Sequence, residues 1–543
     1  MSLRQQKQKP LPAFSRKWSI RIYLTESESC WQEDITAKRR RSDRKCIDGQ
    51  TKLISETIVP NDNITVPYGP LTLTRMVFDM LEMDRPLSRL KRKQGVTPSE
   101  VIMALVSHAM LMRGLSINRL EDVINDKEMR MIHGLSDDVD KNDLYRMEDA
   151  LGENIELVIK HIDRMLKDKL GLSFDTVFMD WSATYFEAKP TKLIKFGFTK
   201  DHRPDRPQIS IGLAMDAATR IPIGFTIMPG NTLDVTHFKA SFEQISPFLD
   251  ENCLIVFDNG GYSDENAKTI TSKGFHFLTR AQMNKSNDKQ ISSSKTQWEM
   301  VEDGICAHTF QGNLGYTKCI YFSASKWWES MEKYRAKANK DYDEMLEMKA
   351  ALEGRRKLRK KYRNSNFFVD TRLSYLFQLD GMSREEAIEE AIRNRITGRE
   401  GYFVLMSSKE ISAKDMLKTY RSRNDAEGGY RDLKHGIDIR PTRTKKEVAI
   451  KGRVMITFLA YFVLALAKFM VPEMQSRTAD TLVEELRSFS VTMMDDDKGG
   501  KRRVYSNFRP IIRRIFERIP LFSSILGRGV RLGKGKYPTF VAN

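Results

Sequence analysis

The sequence predicts an α/β fold, with an all-α region ahead of the core and a stretch of different composition inserted into it. Three observations carry this. Helical patterning fills the chain from Gly69 to about Leu170. At Asp175 the texture changes to short apolar, β-rich runs alternating with helix-like segments, in the order β-β-β-α-β-α-β. Between Arg280 and Arg399 the composition shifts again, and the strand-like run GYFVLMSS (Gly401–Ser408) then resumes the core.

Composition narrows the partners. Lys and Arg outnumber Asp and Glu by 90 to 72, a formal charge of +18, and the pI is near 9.4. Such an excess suits an acidic polymer, most simply nucleic acid. The five cysteines (Cys30, Cys46, Cys253, Cys306, Cys319) are scattered, with no CxxC pair and no Cys/His cluster. They support neither a disulfide framework nor a zinc site, and they fit a reducing, intracellular setting. The polar, basic N-terminus does not read as a signal peptide. The most apolar run, Val454–Ala467 (VMITFLAYFVLALA), stops at Lys468, short of the roughly 20 residues of a membrane span. It reads as a buried helix, and no membrane partner is expected.

Taken in order, residues 1–66 mix Pro, Ser, Gln and charge around the basic run Lys38–Arg41, and read as a flexible basic arm. Residues 67–172 read as a helical N-terminal domain, a candidate for DNA binding. There Pro98-Ser99-Glu100 opens a helix carrying VIMALVSHAMLM, and Ser116–Asn125 and Asn154–Leu170 follow. The first part of the core is 173–280. DTVFMD (175–180) is a strand ending on Asp180, and WSATYFE reads as a polar segment after it. Gln208–Asp216 and Pro222–Pro229 are two further strands. A helix from about Thr236 to Leu249 leads to strand Cys253–Phe257, which ends on Asp258. Helix Ser263–Lys273 then precedes strand Phe275–Thr279. The insertion, 281–400, is expected to hold strands around Gly304–Phe322. A long charged helix, Ser325–Tyr362, follows and ends in RRKLRKKYR. The second part of the core, 401–475, contains the strand at Gly401 and a helix opening at Ser412. The apolar helix Lys451–Met470 is expected to pack behind that helix. Residues 476–543 form a basic C-terminal region.

Side chains at strand ends face a cleft, and Asp180 and Asp258 are read at such ends. Asn259-Gly260-Gly261 lets the backbone turn tightly beside the second. A single acid so placed is commonly a turn former or helix cap. Downstream, Tyr420, Arg423, Glu427 and Lys434 lie 0, 3, 7 and 14 positions along YRSRNDAEGGYRDLK. At about 100° per helical residue they fall within about 60° of one another. The stripe sets a carboxylate among an aromatic hydroxyl and two cations. It suits a helix whose Glu holds a metal while Arg and Lys grip phosphate. An exposed face laced with ion pairs is the plainer alternative, and Gly428 with Gly429 weakens the helix by about 1 kcal/mol each. Three carboxylates from two strands and a helix can hold a pair of hard divalent cations for phosphodiester chemistry.

Tyr420-x2-Arg423-x3-Glu427-x6-Lys434 matches the Y-x2-R-x3-E-x6-K signature at all four positions, and here the chain resembles the DDE insertion-sequence transposases of the insertion-sequence-four group and its relatives. MDWSATYFE resembles that family's segment around the first acid. VFDNGGYSDENA is similar to the second-acid segment, and LKHGIDIRPTRTKKEVAIKGRVMITFLAY to the helix after the Glu. The likeness runs from about Tyr68 to Lys468. It implies an RNase-H-like catalytic domain interrupted by a mostly β insertion. It also implies a metal-binding catalytic triad of Asp180, Asp258 and Glu427, holding two Mg²⁺ ions for which Mn²⁺ substitutes. Tyr420, Arg423 and Lys434 would contact the DNA end. The implied partners are double-stranded DNA (terminal inverted repeats and target) and a second copy of the chain, in a cytoplasmic, nucleoid-associated setting. One departure is Asp258-Asn259-Gly260 where many relatives have Asp-Arg-Gly. A second is the long charged helix in the insertion.

Two alternatives stay open. One is an RNase-H-like nuclease that cuts without joining, and the other a decayed transposase that only binds DNA. A two-carboxylate glycosidase would use similar acids, but the basic balance gives it no support. His202 reads as a loop hydrogen bonder within reach of the site, and Trp181 as a packing residue or a platform for a displaced base.

Overall fold

The computed structural model describes residues 64–90, 96–111, 117–125, 127–198, 203–293, 295–354, 381–431, 446–495, 501–507 and 509–519. The Lys38–Arg41 run, His202, RRKLRKKYR, Lys434 and the Gly/Arg-rich tail lie outside them. Two units divide the chain: Met1–Thr65 with Thr492–Val504, and Val66–Val491 with Tyr505–Asn543.

After β1 (Ile64–Pro67) the chain runs through α1 (Gly69–Met80), α2 (Asp84–Leu87), α3 (Pro98–Leu111), α4 (Ile117–Ile124), α5 (Lys127–His133), α6 (Lys141–Glu153) and α7 (Ile155–Leu170). Local chemistry sets the ends. Ahead of α3, Thr97 donates from its amide and its hydroxyl to Glu100 Oε2, at 2.8 and 3.0 Å. A reciprocal Asp140/Asp143 capping box opens α6, and Gly171 closes α7 in the left-handed region at φ 61°. α3 is apolar nearly all round and buried accordingly.

The core then lays down β2 (Thr176–Tyr185), β3 (Gln208–Asp216), β4 (Pro222–Pro229), α8 (Asp234–Ile245), β5 (Leu254–Phe257), α9 (Asp264–Ser272) and β6 (His276–Ala281). The inserted stretch adds α10 (Lys285–Ser292), β7 (Glu299–Glu302), β8 (Ile305–Gln311), β9 (Thr317–Ser323), α11 (Ala324–Glu353) and α12 (Arg384–Arg393). β10 (Tyr402–Ser407), α13 (Ala413–Arg431), α14 (Glu447–Met470), α15 (Ala479–Ser488), β11 (Ser490–Asp495), β12 (Lys501–Ser506) and α16 (Pro510–Arg518) complete the order. β1, β11 and β12, parts of which make up the described smaller unit, form a three-stranded sheet in the order β1-β11-β12.

In the larger unit a nine-stranded sheet has the order β4-β3-β2-β5-β6-β10-β9-β8-β7. β2, β5 and β6 are mutually parallel in sequence, and every other neighbouring pair is antiparallel. The inserted strands therefore prolong the core sheet through the β9–β10 pairing. α11 and α12 pack along a seam of Met331, Ala338 and Met345 against Ala387, Ile388, Ala391 and Ile392, with Trp327, Tyr334 and Tyr342 at its margin. Those α11 positions recur at three- and four-residue steps, a heptad pattern under a highly charged surface.

Two expectations change. β2 does not stop at Asp180: WSATY continues the strand, paired residue by residue with β3 as far as Tyr185 and Gln208. Trp181, Ala183 and Thr184 are buried there, so this segment is core and not a polar loop. Among the described residues α14 packs mainly on α6 and α3 rather than on α13. Gly152 and Gly452 allow that crossing, because a Cβ on Gly452 would overlap the Glu148 carbonyl and one on Gly152 that of Val448. Across it Arg453 Nε donates to the buried Glu148 Oε1 at 2.7 Å. α14 has the length and apolarity of a membrane span, yet Val454–Ala467 is buried throughout within the fold.

Candidate active site

Asp180 and Asp258 come together through strand register. β2 and β5 run parallel with Phe178 beside Val256. Two residues further on, Asp180 and Asp258 keep the same offset and the same side of the sheet, about 4.8 Å apart in backbone. Trp181 and Phe257 point the opposite way. Both pack on Phe238 of α8, with ring centroids 5.8 and 4.7 Å away. β5 ends at Phe257 while β2 continues. Asp180 thus lies in mid-strand but beside the open end of its neighbour. Asp258 leaves the sheet as the cap of a short 3-10 turn, Asn259–Gly261, accepting from Asn259 N at 2.8 Å. Gly261 must be small, since a Cβ there would sit 2.9 Å from the Trp181 ring.

α13 faces the two acids. Ser412 caps it by accepting from Asp415 N at 3.1 Å, and Tyr321 of β9 donates to the Ala413 carbonyl at 2.8 Å. Arg220, stacked over Phe178 of β2, donates to the Ser422 carbonyl at 3.2 Å. Tyr420 donates its hydroxyl to Asp258 Oδ1 at 3.1 Å, and Arg423 stands 3.8 Å from Asp180 Oδ1 with only 8% of its side chain exposed. Its guanidinium also lies 5.5 Å from the Tyr420 ring centroid. Burial, followed by the Asp258 charge, pushes the Tyr420 phenol up to about 12. The helix runs unbroken through Gly428 and Gly429 to Arg431. Glu427 occupies its predicted place one turn beyond Arg423; its side chain, like all of Lys434, is outside the described residues.

Among the described residues, no three His, Cys, Asp or Glu side chains gather as a ready metal cage. The donor set nevertheless fits a hard divalent cation. Asp180 and Asp258 bring two carboxylates from neighbouring strands to one face of the sheet, opposite α13, and oxygen is the ligand such ions take.

Sequence reasoning missed two groups around the acids. Behind the sheet, Trp181 Nε1 donates to Ser241 Oγ at 3.1 Å, and the Ser241 and Thr226 hydroxyls lie 2.7 Å apart. His237, wholly buried, bridges Thr226 and Ser210 at 2.9 Å on each ring nitrogen. The clue available was His237 and Ser241 at i and i+4 on a helix whose partner strands each carry one hydroxyl residue. Trp181 is therefore a packing residue, 2% exposed. The second group is Arg280. Phe257 pairs with Thr279, so Arg280 follows beside Asp258 on the same face, and it pairs with Leu405 on its other flank. A charge closing the apolar run FHFLT was its sequence signal.

A family model described as "Transposase DDE domain" matches residues 175–463, more than half of the chain, beginning where the sequence texture changes. No curated protein matches the chain. Among solved structures, one of the piggyBac transposase synaptic complex with hairpin DNA is 10% identical. It covers 78% of this chain and 80% of that chain at a TM-score of 0.37.

Proposed function

The chain belongs to the family of transposases with a DDE domain, and from that premise we propose that it cuts the ends of a DNA element and joins them to target DNA. The observation that carries this reading is the pairing of Asp180 and Asp258 at one level of the sheet, opposite Tyr420 and Arg423. An RNase-H-like catalytic core is the finer fold this supports.

Asp180, Asp258 and Glu427 would hold two Mg²⁺ ions, or Mn²⁺ in their place, which supply Lewis-acid stabilisation of charge at the reacting phosphate. The protein's own groups do the positioning. Arg423 and Lys434 grip backbone phosphate, and the Tyr420 phenol, still protonated at neutral pH, orients the Asp258 carboxylate. In the first step water attacks phosphorus, the P–O3′ bond breaks, and the element end is left with a 3′-OH. In the second, that 3′ oxygen attacks a target phosphodiester, forming one P–O bond as another breaks and releasing a target 3′-OH. Both are in-line displacements at phosphorus, so one site serves both. Two element ends have to be paired, which calls for a homodimer on double-stranded DNA; the expected setting is the cytoplasm, on nucleoid DNA.

Strand-transfer products decide the matter. Incubating a labelled duplex bearing the element's terminus with supercoiled plasmid and Mg²⁺ should yield label covalently joined to plasmid. Cutting without joined product would favour the nuclease reading, and binding without cutting the decayed one.

A further inference from the structure

The catalytic face of the sheet carries a second concentration of charge, positive and displaced toward the inserted strands. Arg280 is its inner member, beside Asp258 on β6 and exposed. Its partner across β10 is Leu405, and Phe403, two residues away on the same face, is the next side chain along. Over the Phe403 ring lies the Lys326 ammonium, 4.1 Å from the centroid, at the start of α11. Phe403 stacks in turn on Tyr321, with ring centroids 5.0 Å apart, and Tyr321 anchors α13. Arg421 of α13 is the third cation, tethered to Glu302 of β7.

These groups feel one another. Lys326 holds its proton less tightly than a free lysine, first through desolvation and then through the charges of Arg280 and Arg421; Glu329 offsets this only as the smallest influence. Among the described residues neither Arg280 nor Lys326 makes an ion pair. Beyond the Glu302 tether on Arg421, these like charges repel one another, and a bound anion beside Arg280 and Lys326 relieves that repulsion.

We infer that Arg280, Lys326 and Arg421 form a phosphate-binding subsite that holds the DNA strand next to the phosphate at the Asp180–Asp258 pair. This rests on the DNA-cutting reading and adds a function for the inserted stretch: the first turn of α11 supplies Lys326 to the track, and β7 holds Arg421 there through Glu302. Glu302 is then a positioning residue, keeping Arg421 on the track when DNA is absent.

The test is a salt titration of DNA binding by the full chain, read by fluorescence anisotropy on a labelled duplex without added metal. Each phosphate contact contributes about 0.9 to the slope of log affinity against log salt. Arg280→Gln with Lys326→Gln should flatten that slope by about 1.8, whereas Arg280→Lys with Lys326→Arg should keep the wild-type slope. Arg280→Gln alone, at an exposed position, should flatten it by about 0.9 and guards against a folding defect in the pair. An unchanged slope in Arg280→Gln, with wild type binding and cutting normally, overturns the subsite and leaves the transposase reading intact. Wild-type protein that neither binds nor cuts DNA overturns both.

Discussion

Arg453→Met should destabilise the protein in a strongly pH-dependent way. Arg453 meets Glu148 at 2.7 Å, with the carboxylate 1% exposed and the guanidinium 15%. Burial raises the Glu148 pKa above the usual carboxylate value even with Arg453 present. Methionine keeps most of the stem and removes the charge, leaving a buried carboxylate without its cation at a crossing where Gly452 already touches the Glu148 backbone. Breaking such a pair costs about 3–5 kcal/mol. The sign of the pH effect follows from the raised pKa. The protonated form is the one the fold tolerates, so stability is fully present below the unfolded pKa and lost as pH rises through the folded one. One pH unit is worth about 1.4 kcal/mol. The defect should therefore be larger at pH 8 than at pH 5. Urea unfolding followed by far-UV circular dichroism at both pH values measures it. Glu148→Gln with Arg453→Met should recover most of the loss at pH 8. An equal deficit at the two pH values, or a double variant no better than the single one, would refute the reasoning.

Three further outcomes follow from the same geometry. Gly452→Ala should cost about 1–3 kcal/mol in urea unfolding, because the added methyl meets the Glu148 carbonyl across a close backbone crossing. The Tyr420 phenol, pushed up to about 12, should stay protonated through pH 10. Ultraviolet difference titration of wild type against Tyr420→Phe should show no missing tyrosinate below that pH. Ala338→Glu places a charge at a wholly buried position in the seam between α11 and α12. It should lower the thermal midpoint, whereas Lys333→Glu, on the exposed side of α11, should leave it nearly unchanged.

What was legible in the sequence was what is local. β3 and β4 fall where the sequence predicts them, because each is a dense apolar run bounded by turn chemistry. The stripe of Tyr420 and Arg423 was readable because helical periodicity alone puts residues three and four apart on one face. Composition alone puts Asp180 at a strand end, because WSATYFE looks polar. Its alternation of Trp181, Ala183 and Tyr185 marked a strand, and the open end belongs to β5, a neighbour 78 residues on. The partner of α14 is set by Glu148 and Gly152, some 300 residues upstream, a distance over which no periodicity speaks. The α11 seam was hidden by charge, although Trp327, Met331, Tyr334, Ala338, Tyr342 and Met345 already keep heptad spacing. The place of Arg280 beside Asp258 is not local, because only the β5–β6 register establishes it.

The most direct test is cleavage of a labelled duplex carrying the element's own terminus, with Mg²⁺ and with EDTA, by wild type and Glu427→Gln. The account predicts nicking at the end that requires metal and is lost in the variant, while duplex binding persists in both. Metal-dependent nicking by Glu427→Gln at the wild-type rate would contradict the triad.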